Sequence, residues 1–302
     1  MKIGVALGIY RYPSTGMAPS WAQMREASLA AEQAGFDTLW IADELLWDTE
    51  DGTPPFGWWD CVATASAIAA STTTIGVGSW VLSALHRNPG LMVKAVETLD
   101  AISEGRFVFG LGAGHAGRQG EAFGYPPDRT VSRYADALEI IVPLLRKGSA
   151  DHDGPYHSAK ALLNDPRGPQ GPSIPLMLGG HKTRTIGLAV QHADIWSAFA
   201  TTGSHASHFV DMVAMVNRMC EEQGRDPLTL GRSAGIVVQR TNRPNSVGFE
   251  MAPAIKGTTD EIVAELAAFA DLGFTRIELI AAADSTQDIE MLAPIVAAAR
   301  EI

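Results

Sequence analysis

Asp43 and Glu44 stand side by side in Trp40-Ile41-Ala42-Asp43-Glu44, at the end of an apolar run, with Trp47 close behind. Adjacent carboxyls at a strand end can cap the next turn, or they can move protons. A glutamate does the latter near neutrality only if desolvation lifts its pKa. His115 follows a second apolar run, in Gly112-Ala113-Gly114-His115-Ala116-Gly117, and an imidazole has the intrinsic pKa for the same work. Its spacing matches G-x-G-x-x-G. A dinucleotide fold would need a helix to begin inside that motif and an acidic residue to close the next strand about 20 residues on. Here Gly120, Gly124 and Pro126-Pro127 follow, and the next helical period opens near Ser132, so the nucleotide reading is set aside. The glycines instead let a planar ring, or a loop over it, approach a strand end closely.

A third constellation is Ile174-Pro175-Leu176-Met177-Leu178-Gly179-Gly180-His181-Lys182-Thr183. A strand ends in two glycines and opens a helix whose first turn carries Lys182, Thr183 and Arg184. Free N–H groups and the helix dipole make such a start an anion site, which the cations strengthen. The plainer alternative is a tight turn with charges facing solvent. His205 and His208 have a spacing that metals use, but no third ligand is apparent, and no metal site is expected.

These residues need a scaffold, and the periodicity supplies one. Strand-like runs at Lys2–Gly8, Phe36–Ala42, Thr73–Leu82, Arg106–Leu111, Ile174–Leu178, Asp194–Ala198, Ser233–Arg240 and Phe274–Ala281 alternate with helical segments. The helices read as Trp21–Ala34, Trp59–Ala70, Pro89–Ile102, Val131–Arg146, Lys182–Gln191, Ser207–Gln223, Thr259–Leu272 and Asp288–Arg300. Pro89 suits a first helical turn, where its missing N–H goes unneeded. Several strands are continuously apolar, as in a parallel sheet covered on both faces. Eight βα units with no element left over predict a (β/α)8 TIM barrel with loop insertions at its C-terminal face, one domain over residues 1–302. Two loops, 112–130 and 148–173, are too long to be plain connectors. The first leaves the C-terminal end of strand four, where barrel enzymes concentrate function.

Composition narrows the partners. Hydrophobic residues make up 46% of the chain and charged ones 19%, which suits a sizeable core. A formal charge of −11 argues against nucleic acid or an anionic membrane as partner. No run is apolar enough to span a bilayer, and Met1-Lys2-Ile3-Gly4-Val5 enters a strand at once instead of a signal peptide. Cys61 and Cys220 fall in separate helical segments and read as buried thiols, compatible with a cytoplasmic location.

Taken together the segments resemble the luciferase-like superfamily of flavin-dependent monooxygenases and deazaflavin-dependent dehydrogenases and reductases. The carriers are His86-Arg87-Asn88-Pro89, the stretch from Thr98 to Arg106, Gly110-Leu111-Gly112-Ala113-Gly114, Gly179-Gly180, Leu188 to Asp194, and Asp271-Leu272-Gly273-Phe274. The resemblance implies a cofactor ring across the C-terminal mouth, near Gly112 and Gly114, with a bulge after strand three pressed on its face. In relatives that bulge holds a cis peptide between non-proline residues, and Ser79-Trp80 is the matching pair. The phosphate end would meet Gly179, Gly180, His181, Lys182 and Thr183. Asp43 matches an aspartate that deazaflavin enzymes follow with a catalytic histidine. This chain has Glu44 there instead, and carries His115 where some relatives have glutamate and others tryptophan, so the two residue types exchange places.

The implied activity is hydride transfer between coenzyme F420 and a small organic substrate, with Glu44 or His115 moving the proton. An FMN-dependent monooxygenase is the alternative, and a cofactor-binding protein without turnover is a third. Trp47, Trp58, Trp59, Trp80 and Phe123 suggest an apolar or aromatic substrate, and the resemblance implies a homodimer.

Overall fold

Eight parallel strands carry the chain around a closed circuit: β1 Lys2–Ala6, β2 Thr38–Ile41, β3 Gly76–Ser79, β4 Phe107–Gly112, β5 Leu176–Gly179, β6 Ile195–Phe199, β7 Gly231–Gln239 and β8 Arg276–Ala281. The circuit is seen in a computed structural model that describes residues 1–12, 15–47, 55–115, 117–126, 128–239, 252–281 and 286–302. Each strand pairs with its neighbour in sequence, and β8 returns to β1 with Lys2 opposite Arg276. The β4–β5 seam is closed by Leu176 opposite Phe109, so the sheet has no free edge and forms a TIM barrel. Outside it run α1 Trp21–Gln33, α2 Cys61–Ser71, α3 Pro89–Ile102, α4 Thr130–Lys147, α5 Thr183–His192, α6 Val210–Glu222, α7 Thr259–Asp271 and α8 Thr286–Ala298.

At two element ends that differ from the periodic reading, a side chain is the cause. The second helix starts at Cys61, not Trp59, because the Asp60 carboxylate accepts the Ala63 N–H at 2.7 Å and caps it. The third strand starts at Gly76, not Thr73. The N–H groups of Thr73 and Ile75 go instead to the Glu32 carboxylate, at 2.7 and 3.0 Å, which takes them out of the ladder. Pro89 does open its helix, behind an Asn88 cap. Arg240, expected to end the seventh strand, and Ala116 and Pro127, expected in the loop after the fourth, lie outside the described residues.

The main core lies between barrel and helices, with Val5, Leu39, Ile41, Val77, Phe107 and Phe109 among its buried members. The lumen is filled as well. Trp40, Val108 and Met177 pack inside it, above a buried polar group. There Glu278 accepts hydrogen bonds from Ser233 Oγ (2.9 Å), Arg276 Nε (3.1 Å) and Trp40 Nε1, while Arg276 Nη2 donates to Thr38 Oγ1 at 2.7 Å. Side chains thus plug the barrel lumen, and barrel enzymes use the C-terminal mouth above such a plug.

The two long loops go different ways. In the first, residues 112–115 line the mouth and the short helix Gly117–Phe123 packs against it through Gln119. The second folds as an antiparallel hairpin of Ser149–Asp153 with Ser158–Leu163, outside the barrel along α4, where Asp136 accepts the N–H groups of Tyr156 and His157. It then returns to the N-terminal end of β4, where Gln170 Nε2 donates to the Phe107 carbonyl at 2.8 Å. Cys61 and Cys220 are buried, unpaired thiols. Among the described residues no helix is long and apolar enough to cross a membrane.

Candidate active site

A cavity of about 490 Å³ opens at the C-terminal mouth. Seven strands of the eight contribute to it through their C-terminal ends or the residues just beyond, from Leu7 and Trp40 through Val81, Gly112, Gly179 and Phe199 to Ile280. Tyr10, Trp47 and Trp58 form an aromatic side, so the lining is mainly apolar. Tyr10 and Trp58 meet at a tilt, ring centres 4.6 Å apart, and pack with Tyr12 and Phe56, which holds that side in place. Trp80 lies at the base, its Nε1 donating to Ser197 Oγ at 3.0 Å.

The bulge after β3 exists, but its cis peptide joins Trp80 and Val81, one residue later than the Ser79-Trp80 pair expected. Ser79 is still held in the sheet. Its hydroxyl donates to the Gly110 carbonyl at 2.8 Å and accepts the Gly110 N–H at 3.0 Å, and the Trp80 N–H still reaches the Ile41 carbonyl. The chain can leave the ladder only after Trp80. Ser79 is therefore a buried wall residue, whereas Trp80 and Val81 line the cavity. The glycines after β4 serve this bulge. A Cβ on Gly112 would come within 2.7 Å of Val81, and one on Gly114 (φ +82°) within 2.2 Å of Ser83.

Asp43 is buried at the end of β2 and ties three segments together. Its Oδ2 accepts the Ser83 N–H at 2.9 Å and Arg87 Nη1 at 2.6 Å, and faces His86 Nδ1 at 3.2 Å. Arg87 spans on to Asp60, the cap of α2, at 2.8 Å. Burial alone would raise the Asp43 pKa, but the bonds from His86 and Arg87 more than reverse it and hold the carboxylate ionised. Its Oδ1, like His86 Nε2, is buried with no hydrogen-bond partner among the described residues. His86 and Arg87 were visible in the sequence only as part of a resemblance; their position directly after a strand end was the available sign.

Glu44 and His115 do line the same cavity. Burial pushes the Glu44 carboxyl up to about 7, against the opposing effects of a hydrogen bond from Gln119 and the proximity of His86, and with help from the Asp43 charge. His115 is exposed and stacks on Trp47, ring centres 5.4 Å apart. The residue between them is Gln119, buried on the short helix and absent from the motifs. It donates to Glu44 Oε2 and, at 2.8 Å, to the His115 carbonyl.

Across the mouth, Gly179, Gly180 and His181 line the cavity, while Lys182 and Thr183 sit exposed at the start of α5 beyond the lining. His181 Nε2 accepts the Phe199 N–H at 2.7 Å, so the neutral ring carries its proton on Nδ1, and burial lowers its pKa. A Cβ on Gly179 would meet only Val81, at 3.8 Å, which leaves open space between β5 and the bulge. That space, backed by the first N–H groups of a ten-residue helix, fits a planar ring joined to a phosphate-bearing tail. His205 and His208 lie elsewhere, beside Glu265 and Thr202, and no three His, Cys, Asp or Glu among the described residues are grouped to hold a metal.

A family model described as luciferase-like monooxygenase matches residues 1–292. Over 210 residues the chain is 29% identical to a Mycobacterium tuberculosis F420-dependent hydroxymycolic acid dehydrogenase, covering 68% of this chain and 55% of that protein. It is also 29% identical over 167 residues to a 5,10-methylenetetrahydromethanopterin reductase of Archaeoglobus fulgidus, covering 54% and 45%. The chain spans about half the length of the curated relatives it matches. Among solved structures, an F420-dependent secondary alcohol dehydrogenase in complex with an F420-acetone adduct superimposes with a TM-score of 0.81 at 16% identity, over 99% of both chains.

Proposed function

The chain belongs to the luciferase-like monooxygenase family, and from that footing we propose that it transfers hydride between coenzyme F420 and a small, uncharged, apolar or aromatic substrate. The observation that carries the reading is Glu44, a carboxyl held near neutrality on the wall of an otherwise largely apolar cavity. Coenzyme F420 supplies the hydride when bound; the protein has to place the partners and handle one proton. Trp80 and Val81 would support the ring, and Gly179, Gly180, His181 and the start of α5 with Lys182 and Thr183 would take the phosphate. A carbonyl that accepts hydride needs a proton at its oxygen, and Glu44 can deliver one at neutral pH, whereas a glutamate at its ordinary pKa of about 4.3 would already have lost it. Tyr10, Trp47 and Trp58 favour the apolar part of the substrate on the same side.

The family description supports an FMN-dependent monooxygenase as a second reading, since FMN also presents a planar ring and a phosphate. A titration of intrinsic tryptophan fluorescence separates them. F420 is expected to bind more tightly than FMN, and the reverse order would change the cofactor assignment.

Lys182 should report on the phosphate end. Lys182→Ala is expected to weaken F420 binding by about 1–3 kcal/mol, the range for a hydrogen bond to a charged group. The rate at cofactor saturation should barely change. An unaltered affinity in the folded variant would remove Lys182 from the binding site.

A further inference from the structure

Both hydrogens and the oxygen of the Gln119 amide are engaged. Its Oε1 accepts the Leu45 N–H at 3.1 Å, and the two hydrogens on Nε2 go to Glu44 Oε2 and to the His115 carbonyl. The residue is only 2% exposed. Turning the amide over would set its oxygen against two acceptors and its NH₂ against the Leu45 N–H, so its orientation is dictated. The short helix that carries it is seated at its far end as well. Tyr125, just beyond, stacks on His86 at 5.0 Å and on Phe123 at 6.2 Å.

A carboxylic acid can carry its proton on either oxygen. An oxygen already accepting from a fixed N–H is the poorer choice, because a second hydrogen would crowd the first. From this geometry we propose that Gln119 is a positioning residue: it occupies Oε2 of Glu44, reserves Oε1 for the transferable proton, and fixes the backbone that bears His115. The proposal rests on the reading of Glu44 as the proton-handling group.

Among the described residues, the charged groups around Glu44 are few. Asp43 adjoins it on its own segment, and His86 and Arg87 come from the loop after β3, with Arg87 tied on to Asp60 at α2. His115 comes from the loop after β4, and the short helix adds Arg118 and Glu121, both exposed. Asp43 favours the protonated form of Glu44, whereas His86 and the Gln119 bond favour the ionised form. Removing the Gln119 donor must therefore raise the titration midpoint of Glu44.

The test is a carbon-13 NMR titration of the cofactor-free full chain with labelled glutamate, the Glu44 carboxyl being assigned by its loss in Glu44→Gln. The native midpoint is expected at about 7. In Gln119→Leu it should rise by about one pH unit, a tenfold gain in proton affinity, as expected for losing a hydrogen bond to a charged group. Gln119→Glu keeps an acceptor for Leu45 but replaces the donor with a second carboxyl, and should raise the midpoint further. A native midpoint near 7 that stays put in both folded variants would overturn the role of Gln119 alone. A native midpoint in the ordinary carboxylate range would overturn the reading of Glu44, and this proposal with it.

Discussion

Glu44→Gln should lower turnover about 10²- to 10⁴-fold, the usual contribution of a positioned general acid or base, while the protein stays folded and still binds its cofactor. The glutamine keeps the size of the side chain but has no acidic proton to give. The pH dependence supplies the sign. If Glu44 donates the proton, the native rate falls as pH rises through about 7, where the carboxyl ionises. The variant should lose that limb. The variant's stability should move opposite to its turnover. The Glu44 pKa is higher in the folded chain than in the unfolded one, so folding is favoured most when the carboxyl is protonated. That advantage is lost between the unfolded pKa of about 4.3 and the folded value near 7. At pH 8 the variant should therefore melt at a higher temperature than the native protein, a cost of function removed. Full activity in Glu44→Gln, with the pH limb intact, would transfer the proton role to His115.

Arg87→Met is expected to cost about 3–5 kcal/mol of folding stability at neutral pH, read from denaturant unfolding, because it leaves a buried carboxylate short of its counter-charge. Asp43 would retain Ser83 and His86 as partners, which puts the loss toward the lower end. The bond from Arg87 to Asp60 adds little, since half of the Asp60 side chain is exposed and solvent screens it. The pH sign follows from Asp43, whose pKa is depressed in the folded chain. Its contribution is fully present above the unfolded value of about 3.9 and disappears as pH falls through the folded one. The gap between native and variant should thus be widest near pH 7 and narrow only below about pH 4. A loss under about 1 kcal/mol would show that His86 and the Ser83 N–H carry Asp43 without help.

The barrel was legible in the sequence because its signals are local. Alternating strand and helix periods, continuously apolar strands and Pro89 at a first helical turn each depend on a few neighbouring residues, and each is present in the fold. The placing of Glu44 and His115 at one mouth was legible for a related reason. In a closed parallel barrel, residues after strands two and four must emerge on the same face, however far apart they lie in the chain. The bulge after β3 was found by resemblance but set one residue early, since nothing in the local pattern shows that Ser79 bonds both backbone groups of Gly110, 31 residues away.

The sequence by itself determined the type and order of the elements, the face that holds the cavity, and that Asp43, Glu44 and His115 reach it, because chain connectivity and hydrophobic period settle those points. Only the tertiary structure decided what those residues are able to do. A carboxyl's pKa depends on how much water remains around it and on which charges stand nearby, and for Glu44 those neighbours come from three separate segments. Asp43 and Glu44 are adjacent in the chain and chemically alike, yet one is held ionised by His86 and Arg87 while the other keeps its proton to about pH 7. Gln119, which no motif marks, became visible only when a bond spanning 75 residues brought its amide against Glu44.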